Sequence, residues 1–80
     1  MKVTIKFFAS LKEEVGCDEE ELELGGGASV SDLLEILRKT RPVLRGDEKF
    51  LVAVNGVRSK LDQRLVEGDV VALLPPVSGG

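Results

Sequence analysis

The chain ends Pro75-Pro76-Val77-Ser78-Gly79-Gly80, and the group best suited to do chemistry is the free carboxylate of Gly80. Two successive glycines carry no Cβ, so the last peptide units can thread a channel too narrow for any side chain and take backbone angles closed to other residues. Pro75 and Pro76 hold φ near the polyproline value, so the run is expected to project from the body that precedes it. A carboxylate on a slim, stiff tether can enter another protein's active site and be activated there. The competing reading of a Ser-Gly-Gly end is a frayed terminus or an appended linker. With glycine at about 7% of average usage, two terminal glycines arise by chance in only roughly 0.5% of chains, which leans against coincidence though not against an appended linker.

The remaining residue types narrow the chemistry further. There is no histidine, which removes the usual general base, the usual zinc ligand and any Ser-His arrangement. Cys17, the single cysteine, has no internal disulfide partner and no histidine to activate it, and it is read as inert. The carboxylates of Glu13-Glu14 and Asp18-Glu19-Glu20-Glu21 lie in a polar run without ligand spacing, so they read as solvated surface rather than an acid/base pair or a metal site. Gly25-Gly26-Gly27 lacks the Lys-Ser or Lys-Thr of a phosphate loop and reads as a flexible connection. Neither self-contained catalysis, a metal nor a bound cofactor is expected. A formal net charge of −3 opposes nucleic-acid binding, which requires a basic stripe. The Met1-Lys2-Val3 opening has no apolar signal segment, and no stretch has the length of a membrane span, so a reducing cytoplasm without membrane attachment is expected.

Eighty residues, 42% hydrophobic and 31% charged, describe one globular domain whose apolar residues are committed to a single small core. Lys2-Val3-Thr4-Ile5-Lys6-Phe7 alternates with period two, predicting a first strand that buries Val3, Ile5 and Phe7. Phe8 falls on the outward parity, as rim packing or a contact surface. Ala9 to Val15 reads as a short helical turn closing at Gly16, and Glu20 to Leu24 as a second strand antiparallel to the first. Ser29 and Asp32 form a capping-box variant ahead of Val30, Leu33, Leu34 and Leu37 at helical spacing, and this helix should end near Thr40 because Arg41 precedes Pro42. After a loop through Gly46 and Asp47, Phe50 to Val54 reads as an interior strand. Asn55-Gly56 turns it into Val57-Arg58 as a hairpin. Gly68-Asp69 leads into a last strand, Val70 to Leu74, which delivers the tail. One helix joining strand two to strand three across a mixed sheet of about five strands gives an α+β, ubiquitin-like β-grasp layout, with residues 1–74 as the domain and 75–80 as a flexible tail.

Several segments resemble the small, sulfur-carrying subunits of molybdopterin synthase. They are Val3 to Ala9 with Gly16, Ser29-Val30 with Leu33, Ala53-Val54-Asn55-Gly56, and Gly68 to Gly80. The last is the specific part, since strand, Gly-Asp, two prolines, a small residue and Gly-Gly together match that family more closely than other ubiquitin-like proteins. The resemblance implies that an E1-like enzyme adenylates Gly80, consuming ATP, and that a sulfur donor converts the end to a thiocarboxylate. It implies transfer of that sulfur to a cyclic pyranopterin precursor in molybdenum cofactor biosynthesis. It further implies a large subunit carrying the catalytic side chains, in a heterotetramer. On that reading Gly80 does the chemistry, Gly79, Ser78, Val77, Pro76 and Pro75 guide insertion, and Phe8 with Leu73 or Leu74 docks the partner. The same tail would serve a carrier for thiamine thiazole synthesis or a ubiquitin-like modifier conjugated through Gly80. A β-grasp interaction domain would not need it.

Overall fold

The computed structural model describes residues 1–41 and 51–75. Phe50 and the expected loop through Gly46 and Asp47 lie outside them, as do Pro76 to Gly80. The elements run β1 (Lys2–Phe7), α1 (Ala9–Val15), β2 (Glu19–Glu23), α2 (Val30–Thr40), β3 (Leu51–Val54), β4 (Val57–Arg58) and β5 (Val70–Leu74). They form one mixed sheet in the order β2-β1-β5-β3-β4. β1 pairs antiparallel with β2, from Lys2 opposite Glu23 to Lys6 opposite Glu19. It also pairs in parallel with β5, from Thr4 opposite Val70 to Phe7 opposite Leu73. β3 completes the sheet antiparallel to β5 and to the two-residue β4.

The period-two pattern of β1 does what its spacing dictates: Val3, Ile5 and Phe7 are buried, and Lys2 and Lys6 are exposed. α1 ends where Gly16 takes a left-handed φ of 91° and donates its N–H to Lys12 O at 3.0 Å, a conformation that costs glycine nothing. α2 begins with the expected capping box: Asp32 N donates to Ser29 Oγ at 3.2 Å and Ser29 N donates to Asp32 Oδ2 at 2.9 Å. The next orphan donors are also met, since Val30 N reaches Gln63 O and Ser31 N reaches Leu61 O, both at 2.9 Å. The first turn of α2 is thus closed by the segment leading to β5 rather than left open to a ligand.

Val30, Leu33, Leu34 and Leu37 of α2 and Leu11 of α1 pack with Val3, Ile5, Phe7, Val52, Val54, Val71 and Leu73 in one core on a single face of the sheet. Among the described residues no helix covers the opposite face.

Two expectations are corrected. Leu73 is completely buried, because β5 pairs in register with β1 and its Val71 and Leu73 take the same inward parity as Ile5 and Phe7; Leu73 therefore cannot be an outward docking residue. Glu20 is half-buried rather than a free surface carboxylate. It stands opposite Ile5 on the helix side of the sheet and forms an ion pair with Arg41, the C-cap residue of α2. The guanidinium of Arg41 also lies 5.9 Å from the centroid of the Phe7 ring, close enough for a cation–π contact. The charge pattern could not announce this pair, since its two members are 21 positions apart in the chain.

Candidate functional site

The site begins where β5 ends. Leu73 points into the core, Leu74 turns outward and is half-buried, and Pro75, also half-buried, is the last described residue. Phe8 N donates to Leu73 O at 3.2 Å, so the corner after β1 is tied to the last strand one residue before the outward-facing Leu74. Phe8 keeps an extended backbone, φ −119° and ψ 156°, and so continues the outward parity of Lys2, Thr4 and Lys6. It is 43% exposed, too much for a core residue of its size. Phe8 and Ala9, with Lys6, Lys12, Asp18 and Glu19, border a shallow depression beside the root of the tail.

The uncovered sheet face continues from this corner. Lys6 stands opposite Ala72, Leu51 opposite Leu74, and Ala53 between Ala72 and Arg58. Its centre is thus made of half-buried Val70, Ala72, Leu74, Leu51 and Ala53, flanked by the exposed cations Lys6 and Arg58. Glu19, Glu21 and Glu23 line the β2 edge on the same side, and Lys2 reaches Glu21 at 3.7 Å in a solvent-exposed pair. An apolar centre with one cation on either side and carboxylates along the β2 edge is the composition of a protein-docking surface rather than of a small-molecule pocket.

The other end of β5 is held by a polar clasp that residue patterns did not reveal. Asp69, the buried charged residue among those described, accepts from Val66 N at 2.8 Å and from Asn55 Nδ2 at 2.9 Å. Asn55 in turn accepts from Val70 N at 3.0 Å and donates its own N–H to Val70 O at 2.8 Å. Asn55 sits at φ 52° and Gly56 at φ 84°, the pair of positive values a tight hairpin turn requires. The segments Asn55-Gly56 and Gly68-Asp69, far apart in sequence, therefore meet to fix where the tail-bearing strand starts.

Among the described residues no group of three or more His, Cys, Asp or Glu side chains could hold a metal ion. Cys17 is half-buried at the margin of the core. No described helix is long and apolar enough to cross a membrane.

A five-stranded mixed sheet gripping one main helix defines a ubiquitin-like β-grasp domain. Within that class the chain belongs to the ThiS family, whose profile matches residues 5–80. It is 39% identical over 83 residues to a Chlamydomonas reinhardtii protein named molybdopterin synthase sulfur carrier subunit, with both chains covered completely. Its structure superimposes on that of SAMP1 from Haloferax volcanii with a TM-score of 0.87 at 34% identity, again over the whole of both chains. It also matches a chain in the complex of subunits 1 and 2 of molybdopterin-converting factor from Helicobacter pylori, with a TM-score of 0.72 at 29% identity and full coverage of each chain. The resemblance to sulfur-carrier subunits and the β-grasp layout are both borne out. That last relative is found bound to a second subunit.

Proposed function

We propose that this chain is the sulfur-carrier subunit of a molybdopterin synthase, working through its terminal carboxylate. The observation that carries the reading is full-length similarity to a protein of that name in a chain whose last strand leads through Pro75 into Pro76-Val77-Ser78-Gly79-Gly80. In the first step a Gly80 carboxylate oxygen attacks the α-phosphorus of ATP on an E1-like adenylating enzyme, releasing pyrophosphate and leaving an acyl adenylate. A persulfide sulfur then attacks the Gly80 carbonyl and expels AMP. Cleavage of the resulting acyl disulfide by a thiol leaves the thiocarboxylate. This species is ionised at neutral pH and is a softer, stronger nucleophile than the carboxylate it replaces. Its sulfur attacks a carbon of the cyclic pyranopterin precursor and displaces an oxygen substituent from it, and water then cleaves the thioester so formed, leaving the sulfur on the pterin and restoring the Gly80 carboxylate.

This chain supplies no acid, base or metal to those steps. It delivers a reactive end, Gly79 and Ser78 keeping it slim and Val77, Pro76 and Pro75 guiding it. The large subunit, in a heterotetramer located in the cytoplasm, would hold the substrate and the catalytic side chains. Phe8 and Leu74 on the uncovered face would dock that subunit. The decisive experiment incubates the purified chain with ATP, an E1-like enzyme and a sulfur donor and records the intact mass. Exchange of one oxygen for sulfur, localised to Gly80 and dependent on ATP, is expected. Its absence, with the enzyme active on an authentic carrier, would refute the carrier reading.

The likeness to SAMP1 favours a second reading, in which the same activated carboxyl forms isopeptide bonds with lysines of other proteins. Higher-mass conjugates in cells that vanish when Gly79 and Gly80 are deleted would distinguish it.

A further inference from the structure

We propose that Ala9 is a positioning residue for Phe8, its left-handed backbone aiming the Phe8 ring at a protein partner beside the root of the tail. The inference rests on the reading of Phe8 as a docking residue. Ala9 has φ 52°, a region that L residues other than glycine, asparagine and aspartate seldom enter. The need for it lies in the chain path. Phe8 must stay extended with its N–H on Leu73 O, while Leu11, three residues on, donates its N–H to Phe8 O at 3.1 Å and buries its side chain in the core. The chain therefore passes from the uncovered face to the core face within one turn, and the positive φ of Ala9 makes that reversal.

Glycine would take the same angle without conflict with a Cβ. Alanine accepts the strain and in return confines the corner to the narrow left-handed well, whereas glycine spreads over a much wider range. Strained backbone of this kind persists where the surroundings over-determine it and is concentrated at functional positions. Here the surroundings are two backbone hydrogen bonds and one buried leucine, and the side chain aimed by the corner is an exposed phenylalanine beside Lys6 and Lys12. A pre-aimed aromatic loses less rotational freedom on docking, and that freedom sets affinity as much as contact area does.

The test compares Ala9→Gly, Phe8→Ser and the double variant for thermal stability and for affinity to the cognate large subunit of molybdopterin synthase. In Ala9→Gly, relief of strain offsets the greater freedom of the unfolded chain, so the midpoint should stay within about 5 °C of the wild type. Its affinity should nevertheless fall by roughly three- to tenfold, the cost of ordering one more side chain. Phe8→Ser should lose at least about tenfold. In the Phe8→Ser background Ala9→Gly should cost nothing further, because the corner acts through the ring it aims; a purely structural alanine would give no such coupling. Undiminished affinity in Ala9→Gly, with Phe8→Ser impaired, overturns the positioning role and leaves the docking face standing. Undiminished affinity in Phe8→Ser overturns both.

Discussion

The Asp69 clasp gives a prediction whose size can be worked from the structure. Replacing Asp69 by alanine removes two hydrogen bonds to a carboxylate, from Val66 N at 2.8 Å and Asn55 Nδ2 at 2.9 Å. Bonds to a charged group contribute about 1.5–3 kcal/mol each, so the gross loss is roughly 3–6 kcal/mol. Two effects reduce it: the penalty of burying the carboxylate disappears, and Asn55 is exposed, so its freed amide can turn to water. A net destabilisation of about 2–3 kcal/mol is expected, equivalent in a domain of this size to a fall in Tm of roughly 10–20 °C. Asp69→Asn keeps one acceptor oxygen but presents an NH2 to a donor, and should cost about half as much. Urea unfolding monitored by circular dichroism measures both, with an unchanged m-value as the sign that only native stability has moved. Asn55→Gly keeps the positive φ while deleting the side-chain partner, so the double-mutant cycle with Asp69→Ala should give a coupling of about 1 kcal/mol. A loss below about 0.5 kcal/mol for Asp69→Ala, or strict additivity in the cycle, would refute the clasp as a stabilising unit. Because Asp69 immediately precedes β5 and the sequence proposed to carry sulfur follows the strand's other end, sulfur loading per folded molecule should be unaffected.

Other outcomes follow from the same geometry. Leu33→Ala, at a fully buried position of α2 facing the sheet, should cost about 2–5 kcal/mol in denaturant unfolding, by lost transfer energy and the cavity left behind. Asp32 is held below the ordinary aspartate pKa, first by the Ser29 backbone N–H, then by the Ser29 side chain. A lowered folded-state value contributes stability that is complete above the unfolded pKa and is lost as the pH falls through the folded one, so Asp32→Asn should flatten only the strongly acidic limb of the stability profile, as acid titration of Tm would register. Gly79→Ala should leave Tm within about 1 °C of the wild type, since a glycine has no side chain to remove from the core. On the proposed carrier function it should abolish thiocarboxylate formation or sulfur transfer in a reconstituted assay, by adding a methyl group where a slim tail is required.

The sequence by itself determined the local elements and singled out the Gly79-Gly80 motif as the candidate for chemistry. The alternation of Lys2 to Phe7, the capping box of Ser29 and Asp32, the helical stripe of Val30, Leu33, Leu34 and Leu37, and the Asn55-Gly56 turn are encoded within a few residues of each position, where backbone geometry and side-chain period act. The Gly-Gly motif was equally legible, because the chemistry proposed for it depends on what the residues lack. Only the tertiary structure decided what depends on register and crossover. Leu73 and Leu74 have indistinguishable side chains, and the parallel pairing of β5 with β1 buries one and turns the other outward. Glu20 looks like its acidic neighbours until β2 places it on the helix side, beside Arg41. Asn55 reads as a turn residue and Asp69 as a loop residue until β3 and β5 pair and bring them together. Ala9 carries no mark of its left-handed backbone, because that angle is imposed by Leu73 and Leu11 rather than preferred by alanine. Period and propensity act over a few residues, whereas the partner of a buried charge and the face a strand residue takes are fixed by strands that meet only once the chain has folded.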